Sequence, residues 1–191
     1  MDKTAKMTTD SFIPFEHEEL DPQESLNRVR SFYTDINKRR SLRMFSDKPV
    51  AKEVIEYVIK SAGTAPSGAH KQPWTFCAVR SAEIKSKIRE AAEKEEYENY
   101  HGRMSEDWLE DLKAFGTDWN KPFLEIAPWL IIVFRKTYDL EDGVKSKNYY
   151  VQESVGLAAG MLLTAIHQAG LVSLTHTPSP MNFLSKVLNR P

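Results

Sequence analysis

Three groups of residues in this 191-residue chain have types and spacings suited to chemistry. The first joins an arginine cluster to a small-residue loop. Arg39-Arg40-Ser41-Leu42-Arg43 offers three guanidiniums within five residues. Arg39 and Arg43 are four apart and share a face if the segment turns; guanidiniums grip phosphate through paired hydrogen bonds and stay charged at all working pH. Thr64-Ala65-Pro66-Ser67-Gly68-Ala69-His70-Lys71-Gln72-Pro73-Trp74 is rich in small residues, so its backbone can come close to a flat ligand, and Gly68 presents no side chain to block the approach. Together these point to a planar phosphorylated cofactor. A solvated basic turn is the alternative for the arginines, with the adjoining Met44-Phe45 pair speaking for partial burial. The second group, Thr175-His176-Thr177-Pro178, puts alternating hydroxyls at the end of an apolar run. Ligands of α/β sheets sit at the C-terminal ends of strands, where a hydroxyl can donate to a cofactor ring nitrogen; ordinary strand threonines are the alternative. In the third group, Glu96 and Tyr100 are four apart on one helix face and can meet one ligand. Lys121 follows Trp119 further along. A carboxylate for an amine, with an ammonium and a phenol for a carboxylate, suits a zwitterionic amino acid; surface ion pairs have the same appearance in sequence.

The elements that must position these groups alternate along the chain. Residues 1–22 read as an extended arm and residues 23–191 as one domain. A helix is expected over 24–37 and another over 50–62, with Pro49 in its first turn and Gly63 as its C-terminal cap. Residues 75–80 form a strand, in which Cys77 reads as a small core residue. Ser81 caps a third helix running toward residue 104. Between Glu90 and Asp111 there are nine acidic and two basic residues with three aromatics, too acidic for a core helix and too aromatic for a disordered tail. A lid over about residues 90–121 is one reading and a solvated surface excursion the other. Residues 129–136 read as a strand covered on both faces. Residues 148–169 read as a central buried helix whose Gly156, Ala159 and Gly160 let another helix approach, at a subunit interface. Residues 171–177 form a third strand, ended by Pro178 and followed by a short amphipathic helix. The class is α/β or α+β.

The bulk properties exclude several roles. With 41% apolar residues the chain can bury one real core. Its net charge of −1 asks for neither nucleic acid nor an acidic membrane. No apolar run approaches the roughly 20 residues of a membrane span, and the polar N-terminus has no signal-peptide core. The single cysteine fits a reducing cytosol. The five histidines have no ligand spacing and Cys77 has no CxxC partner, so no metal site is expected. No dinucleotide, P-loop or nucleophile-elbow motif occurs.

Taken in order, Arg39-Arg40-Ser41-x-Arg43, Gly63-Thr64-Ala65-Pro66-Ser67-Gly68-Ala69-His70-x-x-Pro73-Trp74, Glu96-x-x-x-Tyr100, Trp119-x-Lys121 and Thr175-x-Thr177-Pro178 resemble the iodotyrosine deiodinase branch of the FMN-dependent nitroreductase superfamily. The resemblance runs from about residue 39 to 191. It implies a nitroreductase-like α+β fold, a central mixed sheet flanked by helices, and a homodimer with FMN at its interface. It further implies that Arg39, Arg40, Ser41 and Arg43 hold the FMN phosphate and ring edge and that Ser67 lines the flavin. Thr175, His176 and Thr177 would contact the cofactor, with the Thr177 hydroxyl donating to flavin N5 as the catalytic contact that favours one-electron steps. Ala69 would offer its N–H to a substrate phenolate, and Glu96, Tyr100 and Lys121 would clamp the zwitterion. The implied reaction is reductive dehalogenation of mono- and diiodotyrosine to tyrosine and halide, with electrons from an external donor such as an NADPH-linked reductase. A general nitroreductase or quinone reductase, and a non-catalytic iodotyrosine-binding flavoprotein, are the rival readings. Animal members carry an N-terminal membrane anchor that this chain lacks, so a soluble cytoplasmic form is expected. The family also continues past residue 191 into a further strand, a dimer-embracing tail and another phosphate-binding arginine, so a truncated C-terminal end is expected.

Overall fold

A computed structural model describes residues 13–190. Residues 1–12 of the expected arm, and Pro191, lie outside the described residues. Contacts divide the chain into two units, Met1–Lys38 and Arg39–Pro191. The first contributes one helix, α1 (Pro22–Ile36). Pro22 stands in its first turn, and the Asp21 carboxylate accepts from the Gln23 and Glu24 N–H groups at 2.9 and 3.0 Å. The stripe Leu26, Val29, Phe32 and Tyr33 on this helix is exposed.

The second unit is built on two helices and a strand pair. Helix α2 (Lys52–Gly63) buries Ile55, Val58 and Ala62. It starts later than expected because residues 49–51 are extended, with the Val50 carbonyl taken by the Trp129 indole N–H at 3.0 Å. Gly63 lies inside the helix, and Thr64 is its cap. Strand β1 (Trp74–Val79) runs antiparallel to β2 (Leu130–Arg135), with Trp74 opposite Arg135 and Val79 opposite Leu130. Helix α6 (Val151–Gln168) buries Ser154, Ala158 and Leu162. Val58, Ala62 and Leu162 form the core cluster, packed by Phe76, Ile131, Val133 and Ile166. Helix α6 is not buried all round: Gly156, Leu157, Gly160 and Met161 are exposed.

Between β1 and β2 run α3 (Ala82–Glu98), a π-helical turn (Asn99–Arg103), α4 (Glu106–Lys113) and α5 (Phe123–Ile126). Ser81 caps α3 as expected, its hydroxyl accepting from Ile84 N–H at 3.4 Å. The α-helix stops short of residue 104 by passing into the wider turn. After β2 comes a hairpin that the sequence reading missed, β3 (Tyr138–Glu141) paired to β4 (Val144–Lys147). Its Asp142-Gly143 tip has both residues at positive φ, the conformation a two-residue hairpin turn demands.

Residues 171–177 are extended but form no strand. They carry one parallel bridge, Ser41 to Ser173, with Leu42 N–H donating to the Ser173 carbonyl at 3.2 Å. A strand needs a neighbour along its length, and among the described residues only 41–42 come alongside. On the other side a cavity of about 740 Å³ separates this segment from β2, lined by Leu130, Ile132, Leu163, Leu174 and Phe183 among others. Strand β2 is accordingly half-buried rather than covered on both faces. Helix α7 (Asn182–Val187) is the expected short C-terminal helix. Among the described residues no helix is long and apolar enough to cross a membrane.

Leu162 is 6% exposed and joins α6 to both α2 and the β1–β2 pair. Leu162→Ala is expected to lower unfolding free energy by about 2–5 kcal/mol through loss of burial and the cavity left behind. Urea titration of parent and variant measures it.

Candidate active site

The buried face of α3 consists of Lys85, Ile88, Ala92 and Glu96, spaced three or four residues apart. Lys85 fixes the helix: its ammonium donates to the Glu125 and Ala127 carbonyls at 2.7 and 2.8 Å, just ahead of β2. The same face delivers Glu96, 6% exposed, to the end of the helix. One carboxylate oxygen, Oε2, lies 3.3 Å from the Lys121 ammonium; the other, Oε1, lies 3.4 Å from His176 Nε2. Lys121 is 4% exposed and sits 5.4 Å from the centre of the Tyr100 ring. Its ammonium also donates to the Thr117 hydroxyl and the Asp118 carbonyl. Thus Glu96, Tyr100 and Lys121, separated by up to 25 positions, form one cluster with His176 added to it.

Lys121 is held there by its backbone. Its N–H donates to Glu93 Oε1 at 2.7 Å. Arg89 secures Glu93 at 2.7 Å, Glu125 at 2.7 Å and Asn120 at 3.0 Å, tying α3, α5 and the 114–122 loop together. Trp119 meets Tyr97 edge-on at 5.6 Å, which lays the same loop back on α3. Asn99 donates to the Ser179 carbonyl at 3.0 Å and so fastens the end of α3 to the segment that carries Thr177. The sequence reading missed Arg89, Glu93 and Asn99. The i, i+4 spacing of Arg89 and Glu93 was a visible signal; Asn99 had none.

Burial acts against the Glu96 charge, but the His176 contact and the charge of Lys121 outweigh it, and the carboxyl is held below its ordinary range. Burial raises the Tyr100 phenol above its ordinary value, so it stays protonated, and its OH donates to the Thr117 carbonyl at 3.3 Å. The cluster therefore presents an anion, a cation and a neutral hydroxyl donor side by side.

The Ser41–Ser173 bridge brings the arginine cluster alongside the threonine segment. Arg40 donates to the Arg39 carbonyl at 2.7 Å, and the Arg43 guanidinium lies 5.3 Å from the Phe115 ring centre. Among the described residues neither Arg39 nor Arg43 has a carboxylate partner. Thr175 and Thr177 are exposed and their hydroxyls have no partner among the described residues, while His176 between them faces the other way, toward Glu96. Ser41 is exposed as well.

In the small-residue loop, Ala69, His70 and Gln72 all have positive φ, a conformation disfavoured for residues with a Cβ. It is held by Gln72 N–H donating to the Ser67 hydroxyl at 2.8 Å and the Gln72 amide donating to the Gly63 carbonyl at 3.1 Å. Nothing among the described residues accepts from the Ala69 N–H. Gly68 is needed by the protein itself: a Cβ there would stand 2.9 Å from the Tyr150 ring and 3.0 Å from the Tyr149 carbonyl, just before α6.

The Glu96 carboxyl has a lower value folded than unfolded. It therefore contributes stability in full above the ordinary carboxylate range and loses it as pH falls through the lowered folded value. Amide protection of residues 90–121 in the ligand-free protein, corrected for intrinsic exchange, is expected to hold from neutral pH down to about pH 5 and to fall below it. Glu96→Gln is expected to show lower protection already at neutral pH. Equal protection in variant and parent would mean that the carboxylate does not hold the cluster.

The family model described as Nitroreductase family matches residues 36–189. The iodotyrosine deiodinase of Haliscomenobacter hydrossis is 63% identical over 182 residues, 95% of this chain and 82% of that protein. The iodotyrosine deiodinase of Hydra vulgaris is 45% identical over 181 residues, 94% of this chain and 66% of that protein. The chain thus spans just under two thirds of the length of the Hydra relative. A crystal structure of oxidized iodotyrosine deiodinase bound to FMN and 3-iodo-L-tyrosine superimposes with a TM-score of 0.76 and 34% identity, covering 84% of this chain and 82% of that one. On these likenesses the chain belongs to the nitroreductase family, on its iodotyrosine deiodinase branch.

Proposed function

We propose that this chain is an FMN-dependent oxidoreductase that reductively removes halide from halogenated tyrosines, mono- and diiodotyrosine among them. The observation that carries this reading is the meeting of Glu96, Tyr100 and Lys121 in one buried cluster. These groups satisfy one another in the ligand-free chain. An amino acid zwitterion can enter between them, its ammonium to Glu96 and its carboxylate to Lys121 and the Tyr100 hydroxyl. Charge-assisted hydrogen bonds of this kind are stronger than neutral ones. A general nitroreductase substrate has no zwitterion and no use for such a cluster.

The residues present fit FMN. Among the described residues Arg39 and Arg43 have no carboxylate partner, and they share a segment with Arg40 and Ser41, so these residue types suit a phosphate. Ser67 belongs to the strained loop, and the exposed Thr175 and Thr177 hydroxyls can donate to the flavin edge. The ring of His176 is turned to Glu96, which leaves its backbone as the part facing a cofactor. The crystallised relative holds FMN and 3-iodo-L-tyrosine, which supports both assignments. When bound, FMN supplies the electrons, and the protein supplies orientation and electrostatics. In the net reaction the carbon–halogen bond breaks, two electrons and one proton enter, and tyrosine and halide leave. The Ala69 N–H, which has no acceptor among the described residues, would donate to the substrate phenolate, and the Thr177 hydroxyl would donate to the flavin edge at N5, a contact that would favour one-electron steps. Residues 90–121 act as a lid that excludes water over the bound amino acid.

Three further features belong to the same proposal. The exposed α6 face of Gly156, Leu157, Gly160 and Met161 is the seat of a second copy, making a homodimer; its two glycines would have nothing within 4 Å of an added Cβ, so the face is open to close approach. The electrons come from an external donor such as an NADPH-linked reductase. The setting is cytoplasmic, in keeping with the lone cysteine.

Titration of the holoprotein with iodotyrosine, followed by flavin absorbance, tests the central claim. Loss of one buried charge-assisted contact, worth roughly 1.5–3 kcal/mol, corresponds to about ten- to hundredfold weaker binding. Glu96→Gln, Tyr100→Phe and Lys121→Met are each expected to weaken iodotyrosine binding by that factor with FMN retained, while 2-iodophenol binding changes little. Parent-like iodotyrosine binding in all three, with nitroaromatic reduction intact, would make the chain a general nitroreductase.

Thr177→Ala is expected to shift the balance of activities. Dehalogenation of iodotyrosine should fall relative to reduction of a nitroaromatic, measured with the same chemical reductant on the same holoprotein. An unchanged ratio would remove Thr177 from its proposed role.

A further inference from the structure

The His176 side chain is the one part of the cluster that the proposed mechanism leaves unused. The segment alternates, so Thr175 and Thr177 face outward and His176 turns its ring inward. The side chain is 18% exposed, and Nε2 lies 3.4 Å from Glu96 Oε1. The direction of that contact is poor, and Nε2 is buried without a formed hydrogen bond. Phe123 of α5 meets the imidazole edge-on at 5.5 Å and fixes its plane. The staple from Asn99 to the Ser179 carbonyl holds this segment beside the end of α3, so the pairing is built into the frame. The charged groups facing the site can be named by element. Glu96 comes from α3, and Lys121, from the 114–122 loop, reaches Glu96 on its other oxygen. Tyr100 of the π-helical turn adds a phenol that feels the charges of Glu96, Asp118 and Arg43; α5 turns Phe123 to the imidazole while its Glu125 pairs with Arg89, and the flanking threonines carry no charge.

We infer that His176 is a positioning residue that acts through Glu96 and makes recognition of the substrate ammonium depend on pH; this rests on the proposed role of Glu96 as the ammonium acceptor. With the imidazole uncharged, Lys121 compensates one carboxylate oxygen and Oε1 is open to the ammonium. With the imidazole protonated, Glu96 stands between two cations. Its second oxygen is then taken, and an entering ammonium meets a like charge. Histidine is the side chain whose charge ordinarily changes between about pH 5 and 8.

The test compares iodotyrosine with 2-iodophenol on the holoprotein, both read by the change in flavin absorbance. The two ligands share the iodophenol ring, and the ratio of their affinities isolates the zwitterion contribution from phenol titration. In the parent, the ratio is expected to fall about tenfold between about pH 7.5 and 5.5, as expected for one competing protonation. In His176→Gln, which keeps an amide donor for Glu96 without a titrating charge, it is expected to stay flat. The KM for iodotyrosine should follow the same pattern with kcat at saturation much less affected. A flat ratio in the parent overturns the inference, as does an equal fall in His176→Gln. Should the variant fail to retain flavin, the parent's own pH profile still decides against the inference if it is flat, and His176→Asn repeats the comparison. Failure of the underlying assignment has a different signature: Glu96→Gln would leave the ratio unchanged at every pH.

Discussion

The Glu96 carboxylate is kept charged at 6% exposure, and much of the site follows from that constraint. An ion moved out of water loses several kcal/mol of solvation, about the scale of a whole domain's net stability, unless it is paired. Here Lys121 pairs one oxygen at 3.3 Å, and His176 Nε2 stands 3.4 Å from the other without a formed hydrogen bond. Neither partner is local in sequence. Lys121 reaches Glu96 because its own N–H is anchored to Glu93, which Arg89 in turn secures. His176 reaches it because Asn99 fastens the neighbouring segment to the end of the same helix. The buried charge thus draws the acidic 90–121 segment and the threonine segment to one point.

A cluster that is self-satisfied without ligand is also matched to a ligand that carries both charges. Inserting an ammonium and a carboxylate between Glu96 and Lys121 keeps each buried ion compensated, whereas a neutral phenol offers nothing to either. Breaking a buried pair from one side is far more costly than replacing it with an equivalent, and in the proposed role selectivity for a zwitterion would follow from that asymmetry. Tyr100 suits the proposed role because burial keeps its phenol protonated. A phenolate in its place would repel the substrate carboxylate.

Opposite in character is the small-residue loop, where the backbone rather than charge is arranged. Three residues bearing a Cβ hold positive φ within four positions, and hydrogen bonds from Gln72 to Ser67 and Gly63 lock them. The consequence is an Ala69 N–H with no acceptor among the described residues. Gly68 makes this possible by letting the loop press on Tyr149 and Tyr150 at the start of α6. Strain of this kind persists only where surrounding structure over-determines it, and it collects at functional sites.

Periodicity and turn chemistry fixed α2, α6, β1 and β2 to within a few residues, and α3 at its capped start, because each buries an apolar face or carries its own cap. The motifs likewise marked Arg39, Arg43, Glu96, Tyr100, Lys121 and Thr177, since charge type and spacing are local properties. Other features were not local. The strand expected over 171–177 has a strand-like sequence, yet a ladder requires a neighbour, and among the described residues only Ser41 and Leu42 stand beside it. The β3–β4 hairpin was overlooked although Asp142-Gly143 announced it, because its flanks are short and polar. The inward turn of His176, the anchoring of Lys121 through Glu93, and the exposure of one α6 face depend on which segments meet in space. Sequence by itself determined which residues can carry charge, donate a proton or tolerate a turn. Tertiary structure alone decided which of them share a low-dielectric pocket, since compensation of a buried ion depends on distances of a few ångströms between residues far apart in the chain.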